Sequence, residues 1–142
     1  MNKMKLEFLS RSDNEKFARM VISAFLLELD PTLEQLSEIK TAVSEAVTNA
    51  IIHGYNSEDG IVTLEGMLDG NTVTVTVSDN GIGIEDIEKA REPLYTGKPN
   101  GERSGMGFTI MEAFTDRLYV ESSPHSGTKV TMVKTIEVDN DR

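Results

Sequence analysis

Glu45, Asn49 and His53 stand four residues apart in the stretch Ser44-Glu45-Ala46-Val47-Thr48-Asn49-Ala50-Ile51-Ile52-His53-Gly54. Residues four apart share a helix face, so on a helix the carboxylate and the amide project side by side. A polar ridge on an apolar helix costs free energy unless something bonds to it. An acid beside a neutral amide suits a site where one group takes a proton and the other holds Mg²⁺ through oxygen. An ordinary amphipathic helix with a solvated polar face gives the same pattern, and this segment alone favours that plainer reading. His53 reads as a partner of the helix dipole, placed just before a cap glycine, Gly54.

Two glycine-bearing segments further along shift the balance. Asp79-Asn80-Gly81-Ile82-Gly83-Ile84 follows a strand of alternating Thr and Val. A carboxylate at a strand end can accept from a ligand amino group. Glycines let the backbone turn sharply and approach a flat ligand. Plain turn chemistry reads equally well here. The second segment, Gly105-Met106-Gly107, opens a helix after Gly101-Glu102-Arg103-Ser104. Unpaired amides and the positive end of a helix dipole form an anion site, beside which Lys98 and Arg103 add formal charge. A flexible loop with a glycine N-cap is the bland alternative. The segment is neither a Walker A nor a dinucleotide-binding fingerprint. Gly127-Thr128 begins the last strand, where a simple hairpin turn is slightly favoured.

The elements that must position these residues follow from periodicity and capping. Ser12 and Glu15 read as a capping box ahead of a helix over about residues 13–29, which Asp30-Pro31 ends. Thr32 and Gln35 form a second box, opening a helix to about His53 along the stripe Leu36, Ile39, Val43, Val47, Ala50 and Ile51. Ile61–Leu68 and Thr72–Asp79 read as strands joined through Asp69-Gly70-Asn71, a hairpin signal. A short helix over Ile87–Arg91, a long exposed loop over Pro93–Ser104 and a helix over Met106–Thr115 come next. Strands Arg117–Ser122 and Lys129–Val138 close the pattern. These elements predict an α/β (α+β) two-layer sandwich, its sheet mostly antiparallel and its helices on one face.

Composition narrows the class of protein. The 142 residues carry a formal net charge of −10, with no cysteine and two histidines. Such a balance disfavours nucleic acid as a direct partner, since phosphate binding needs clustered Lys and Arg. Disulfides and thiolate metal sites are excluded, and zinc has few ligands available. No apolar run is long enough for a bilayer and no signal peptide is evident, so a cytoplasmic protein without membrane contact is expected. With no repeat or linker in view, residues 1–142 are expected to form a single domain.

Taken in order, Glu45/Asn49, Asp79-x-Gly-x-Gly and the Gly-x-Gly helix start resemble the nucleotide site of the GHKL (Bergerat-type) ATPase superfamily. Ser44 to Tyr55, Pro93-Leu94-Tyr95-Thr96-Gly97-Lys98-Pro99 and Glu102-Arg103-Ser104-Gly105-Met106-Gly107-Phe108-Thr109-Ile110-Met111 are similar to the bacterial anti-sigma-factor serine kinases. The resemblance implies a protein that sequesters a sporulation sigma factor and, with Mg-ATP, phosphorylates a serine of an anti-anti-sigma antagonist. It implies Glu45 as general base, Asn49 as Mg²⁺ ligand and Asp79 as adenine reader. Gly81, Gly83, Gly105 and Gly107 would shape an ATP/ADP pocket, with Ser104 and Met106 in its lid segment and Thr128 at its adenine end. Lys98 and Arg103 would face the phosphates, and Arg19 on the first helix would contact a partner. A homodimer is also implied. Two other readings stay open: the catalytic domain of a histidine kinase, and an ATP-dependent binding module without phosphotransfer.

Overall fold

The computed structural model of the chain describes residues 1–55, 58–92 and 107–137. Chain order is β1 (Asn2–Leu9), α1 (Asn14–Leu26) with a 3₁₀ turn at Leu27–Leu29, and α2 (Leu33–Asn49) running into a π-helical turn at Ala50–Gly54. Next come β2 (Ile61–Asp69), β3 (Thr72–Asp79), α3 (Ile87–Ala90), α4 (Gly107–Phe114), β4 (Arg117–Ser122) and β5 (Thr128–Thr135). The strands form one antiparallel sheet in the order β1-β2-β3-β5-β4. The helices gather on one face, as the alternating pattern requires.

The buried face is written residue by residue. Val73, Val75 and Val77 on β3 alternate inward with Val62, Leu64 and Leu68 on β2 and with Val130 and Met132 on β5. Ala18, Ile22 and Leu26 line α1 at a spacing of four, and Ile39, Val43, Ala46 and Val47 line α2, continued by Ala50 of the π-turn. Each large aliphatic side chain taken from water this way stabilises the fold by about 1.5–3 kcal/mol. Thr32 caps α2 as expected: its Oγ1 accepts from the amide of Gln35 at 3.1 Å, while its own amide donates to Gln35 Oε1 at 2.8 Å. In the β2–β3 hairpin Asp69 faces Thr72, and Gly70 alone takes a positive φ of 60°, the pattern of a type II′ turn.

The N-terminal segment, to which the sequence pattern assigns no element, is a strand, β1. Lys3, Lys5 and Glu7 alternate with Met4, Leu6 and Phe8, so a charged outer row marks an edge strand. Ser12 does not cap α1. Asp13 is the N-cap without a side-chain cap bond, and Glu15 is drawn to tertiary partners instead. Gly54 is not a left-handed C-cap, because α2 widens into the π-turn and Gly54 is its last residue, followed by extended Tyr55. The expected loop Pro93–Ser104 lies outside the described residues, and the last strand, expected over Lys129–Val138, runs Thr128–Thr135 instead.

Candidate functional site

At the end of β3 the alternation that buries Val73, Val75 and Val77 continues to Asp79, so a carboxylate stands where the core pattern asks for an apolar group. Asp79 is 8% exposed. Its Oδ1 accepts from the amide of Gly81 at 2.9 Å, and the amide of Thr128 also donates to the carboxylate. Burial pushes its pKa above the ordinary 3.8, and the two backbone donors oppose that push. Cross-strand register makes Asp79 the centre of a row running Phe8, Val62, Asp79, Thr128, Ser122. The row changes from apolar to polar at Asp79.

The π-turn seals one side of this carboxylate. A Cβ on Gly54 would lie 2.8 Å from Asp79 Cγ, and one on Gly81 would lie 1.7 Å from the Gly54 carbonyl oxygen. That carbonyl accepts from the amide of Ile82 at 2.9 Å. The glycines of Asp79-x-Gly-x-Gly therefore serve first to pack the chain against itself. Gly83, at φ 76°, is pressed against the carbonyl of Ser123, where a Cβ would come within 1.9 Å. Gly127, at φ 79°, crosses the carbonyl of Asp79 in the same way.

Higher on α2, Glu45 and Asn49 flank the buried stripe on the side facing α4, both half-buried. Gly107, the first residue of α4, abuts them. A Cβ there would lie 3.1 Å from Asn49 Nδ2 and 3.3 Å from Glu45 Oε2. Without one, oxygen-bearing groups of an acid and an amide open toward a helix start, a donor set suited to a hard cation and to phosphate. A π-turn inside a helix is a frequent companion of such sites. Here it carries the chain from Asn49 to Gly54, so the Glu45/Asn49 ridge and the Gly54 wall occupy successive stretches of one helical segment.

The structure thus brings the expected residues into two groups beside one helix and its π-turn: Glu45 and Asn49 with Gly107 of α4, and Asp79 with Gly81 and Thr128 against Gly54. Gly83 lies apart, against the β4–β5 turn. Arg19 is on α1, its Nε 3.7 Å from Glu15 Oε1, and the same carboxylate accepts from the Ser44 hydroxyl. Lys98, Arg103, Ser104, Gly105 and Met106 lie outside the described residues. Sequence reasoning missed Tyr55 and Ser122. The Tyr55 hydroxyl accepts from the amide of Asn80 and donates to the carbonyl of Ile61, each at 2.7 Å, fixing the turn after Asp79. Ser122 could have been found from its place opposite Thr128 in an inward-facing strand pattern, whereas no spacing announces Tyr55.

This arrangement of sheet, helices and glycine turns defines a class. The chain belongs to the family described as the histidine kinase-like ATPase domain, whose model matches residues 8–134. Within it the relatives are narrower in kind. The chain is 60% identical to the Anti-sigma F factor of Clostridium perfringens (strain SM101 / Type A), covering 94% of this chain and 96% of that protein. It is 57% identical to the Anti-sigma F factor of Clostridium botulinum (strain Alaska E43 / Type E3), with 96% of each chain covered. Among solved structures, the RsbU and RsbW domains of Rv1364c from Mycobacterium tuberculosis share the fold. The TM-score is 0.69 at 18% identity, over 96% of this chain and 32% of that one.

Proposed function

We propose that residues 1–142 form a single ATP-binding kinase domain that captures a sigma factor and phosphorylates a serine of an anti-anti-sigma protein. The reading is supported by one observation above the rest. A single helix with its π-turned end sets Glu45 and Asn49 against Gly107 and, further along, Gly54 against Asp79. One end offers a recessed acceptor for the amino edge of adenine. The other offers an acid and an amide beside a helix start, where phosphates would lie. The names of the relatives support a sigma factor as partner.

In this reading Asp79, with Thr128 beside it, binds adenine, and Gly81 leaves room for the turn that carries it. Asn49 would hold Mg²⁺, which when bound neutralises phosphate charge. Glu45 takes the proton from the serine hydroxyl as the serine oxygen bonds to the γ-phosphorus and the bond to ADP breaks. Phosphoryl transfer depends mainly on such positioning and charge neutralisation. Arg19, held by Glu15 and half-exposed on α1, serves a partner surface away from the nucleotide.

Incubation of the protein with Mg-ATP labelled at the γ-phosphate and an anti-anti-sigma protein tests this reading. Label recovered on a serine of the antagonist supports it. Retained ATP with no transfer to any partner would leave a binding module and refute the kinase assignment.

A further inference from the structure

Ser122 closes β4 at the polar end of the row that contains Thr128 and Asp79. Three groups meet its hydroxyl. The amide of Ile84 donates to Oγ at 2.8 Å, the carbonyl of Gly127 lies 2.8 Å away, and Thr128 Oγ1 lies 2.8 Å away. A serine hydroxyl has one proton and two lone pairs. Gly127 O can only accept, so the single Ser122 proton goes there. The Ile84 amide fills one lone pair of Ser122. The remaining lone pair must then receive the Thr128 proton, since the opposite choice would set two oxygens against each other at Gly127.

We infer that Ser122 is a specificity-determining residue: it takes the proton of Thr128, so that Thr128 presents only lone pairs to the site beside the Asp79 carboxylate. Both polar side chains at this end of the site are then acceptors. A 6-amino purine, which offers a donor there, is matched, whereas a 6-oxo purine, which offers an acceptor, is opposed. Selectivity of this kind arises because a buried acceptor facing another acceptor goes unsatisfied. Ser122 is a positioning residue, acting on the ligand only through Thr128. The inference rests on the proposed nucleotide site.

Calorimetric titration with ATP, GTP and purine riboside triphosphate, which lacks the 6-amino group, tests it. The wild-type protein should prefer ATP to both. Ser122→Ala should reduce the ATP preference about tenfold, within what one hydrogen bond to a ligand contributes. Ser122→Thr, which keeps the hydroxyl, should retain it. Thr128→Val should lose the preference as Ser122→Ala does, and the double variant should lose no more than either, because the two groups act as one unit. Thr128→Val carries the test if Ser122→Ala proves unfolded. Equal weakening of all three nucleotides in Ser122→Ala would reduce Ser122 to a brace and overturn the inference, as would losses that add in the double variant. A wild-type protein that binds no ATP would overturn the nucleotide site and the inference together. A full ATP preference surviving in Ser122→Ala would overturn the inference alone.

Discussion

Gly54 and Asp79 are fitted to each other: the place where a side chain would start on Gly54 is taken by the Asp79 carboxylate, 2.8 Å from that position. The last residue of the π-turn thus forms a wall of the recess that holds Asp79. Gly54→Ala should force one of them to move and destabilise the fold by about 1–3 kcal/mol, the usual effect of overpacking. ATP affinity should drop with it, and by more than GTP affinity. Urea unfolding and titration on the same variant check both effects.

Asp79 should give a distinct pH signature. Its carboxyl is raised above 3.8 because burial disfavours the charged form. The folded state therefore holds this proton more tightly than the unfolded chain. The stability it contributes is full below about 3.8 and is lost as pH rises through the raised folded value. Relative to Asp79→Asn, the wild-type protein should lose stability as pH climbs from 3.8, then level off. ATP affinity should rise over the same window, because the carboxylate is the acceptor. Denaturant midpoints and ATP titrations across that range would show the two opposed trends. Parallel curves for the two proteins would contradict them.

Asn49→Ala should weaken Mg²⁺-dependent ATP binding more than metal-free binding. The amide sits against Gly107, where a hard oxygen donor can meet a cation and phosphates together. Titrations with Mg²⁺ and with a chelator separate the two contributions. An unchanged Mg²⁺ dependence would remove Asn49 as a ligand.

Tyr55→Phe removes both hydrogen bonds of the hydroxyl while keeping the ring against Gly60, where a Cβ would come within 2.4 Å. The Asn80 amide loses its partner, so stability should fall by about 1–2 kcal/mol. ATP affinity should decrease because the turn after Asp79 is no longer pinned. Amide hydrogen exchange at Asn80 should quicken in the variant.

Much of this was readable in the residues themselves. The capping box at Thr32 and Gln35, the stripe along α2 and the Asp69–Thr72 turn each carry a local signal that tertiary contacts reinforced. So did Glu45 and Asn49 as a ridge and Asp79 at a strand end. What local reasoning missed depended on remote partners. Ser12 and Glu15 offered a capping box, but Ser44, 29 residues on in α2, holds the Glu15 carboxylate together with Arg19 one turn along α1. Gly54 looked like a helix stop, whereas its missing Cβ answers to a carboxylate 25 residues on. β1 pairs with a strand about sixty residues away, and its short alternation is weak without that neighbour.

The role of Glu45 is tested most directly by single-turnover phosphorylation of the antagonist by Glu45→Gln. The substitution keeps volume and hydrogen-bonding capacity but removes the basicity, and a general base of this kind contributes about 10²–10⁴-fold in rate. ATP binding and sigma-factor capture should stay near the wild-type level while serine phosphorylation slows by about that factor. Transfer at the wild-type rate, or binding and transfer falling together, would contradict the assignment of Glu45 as the base.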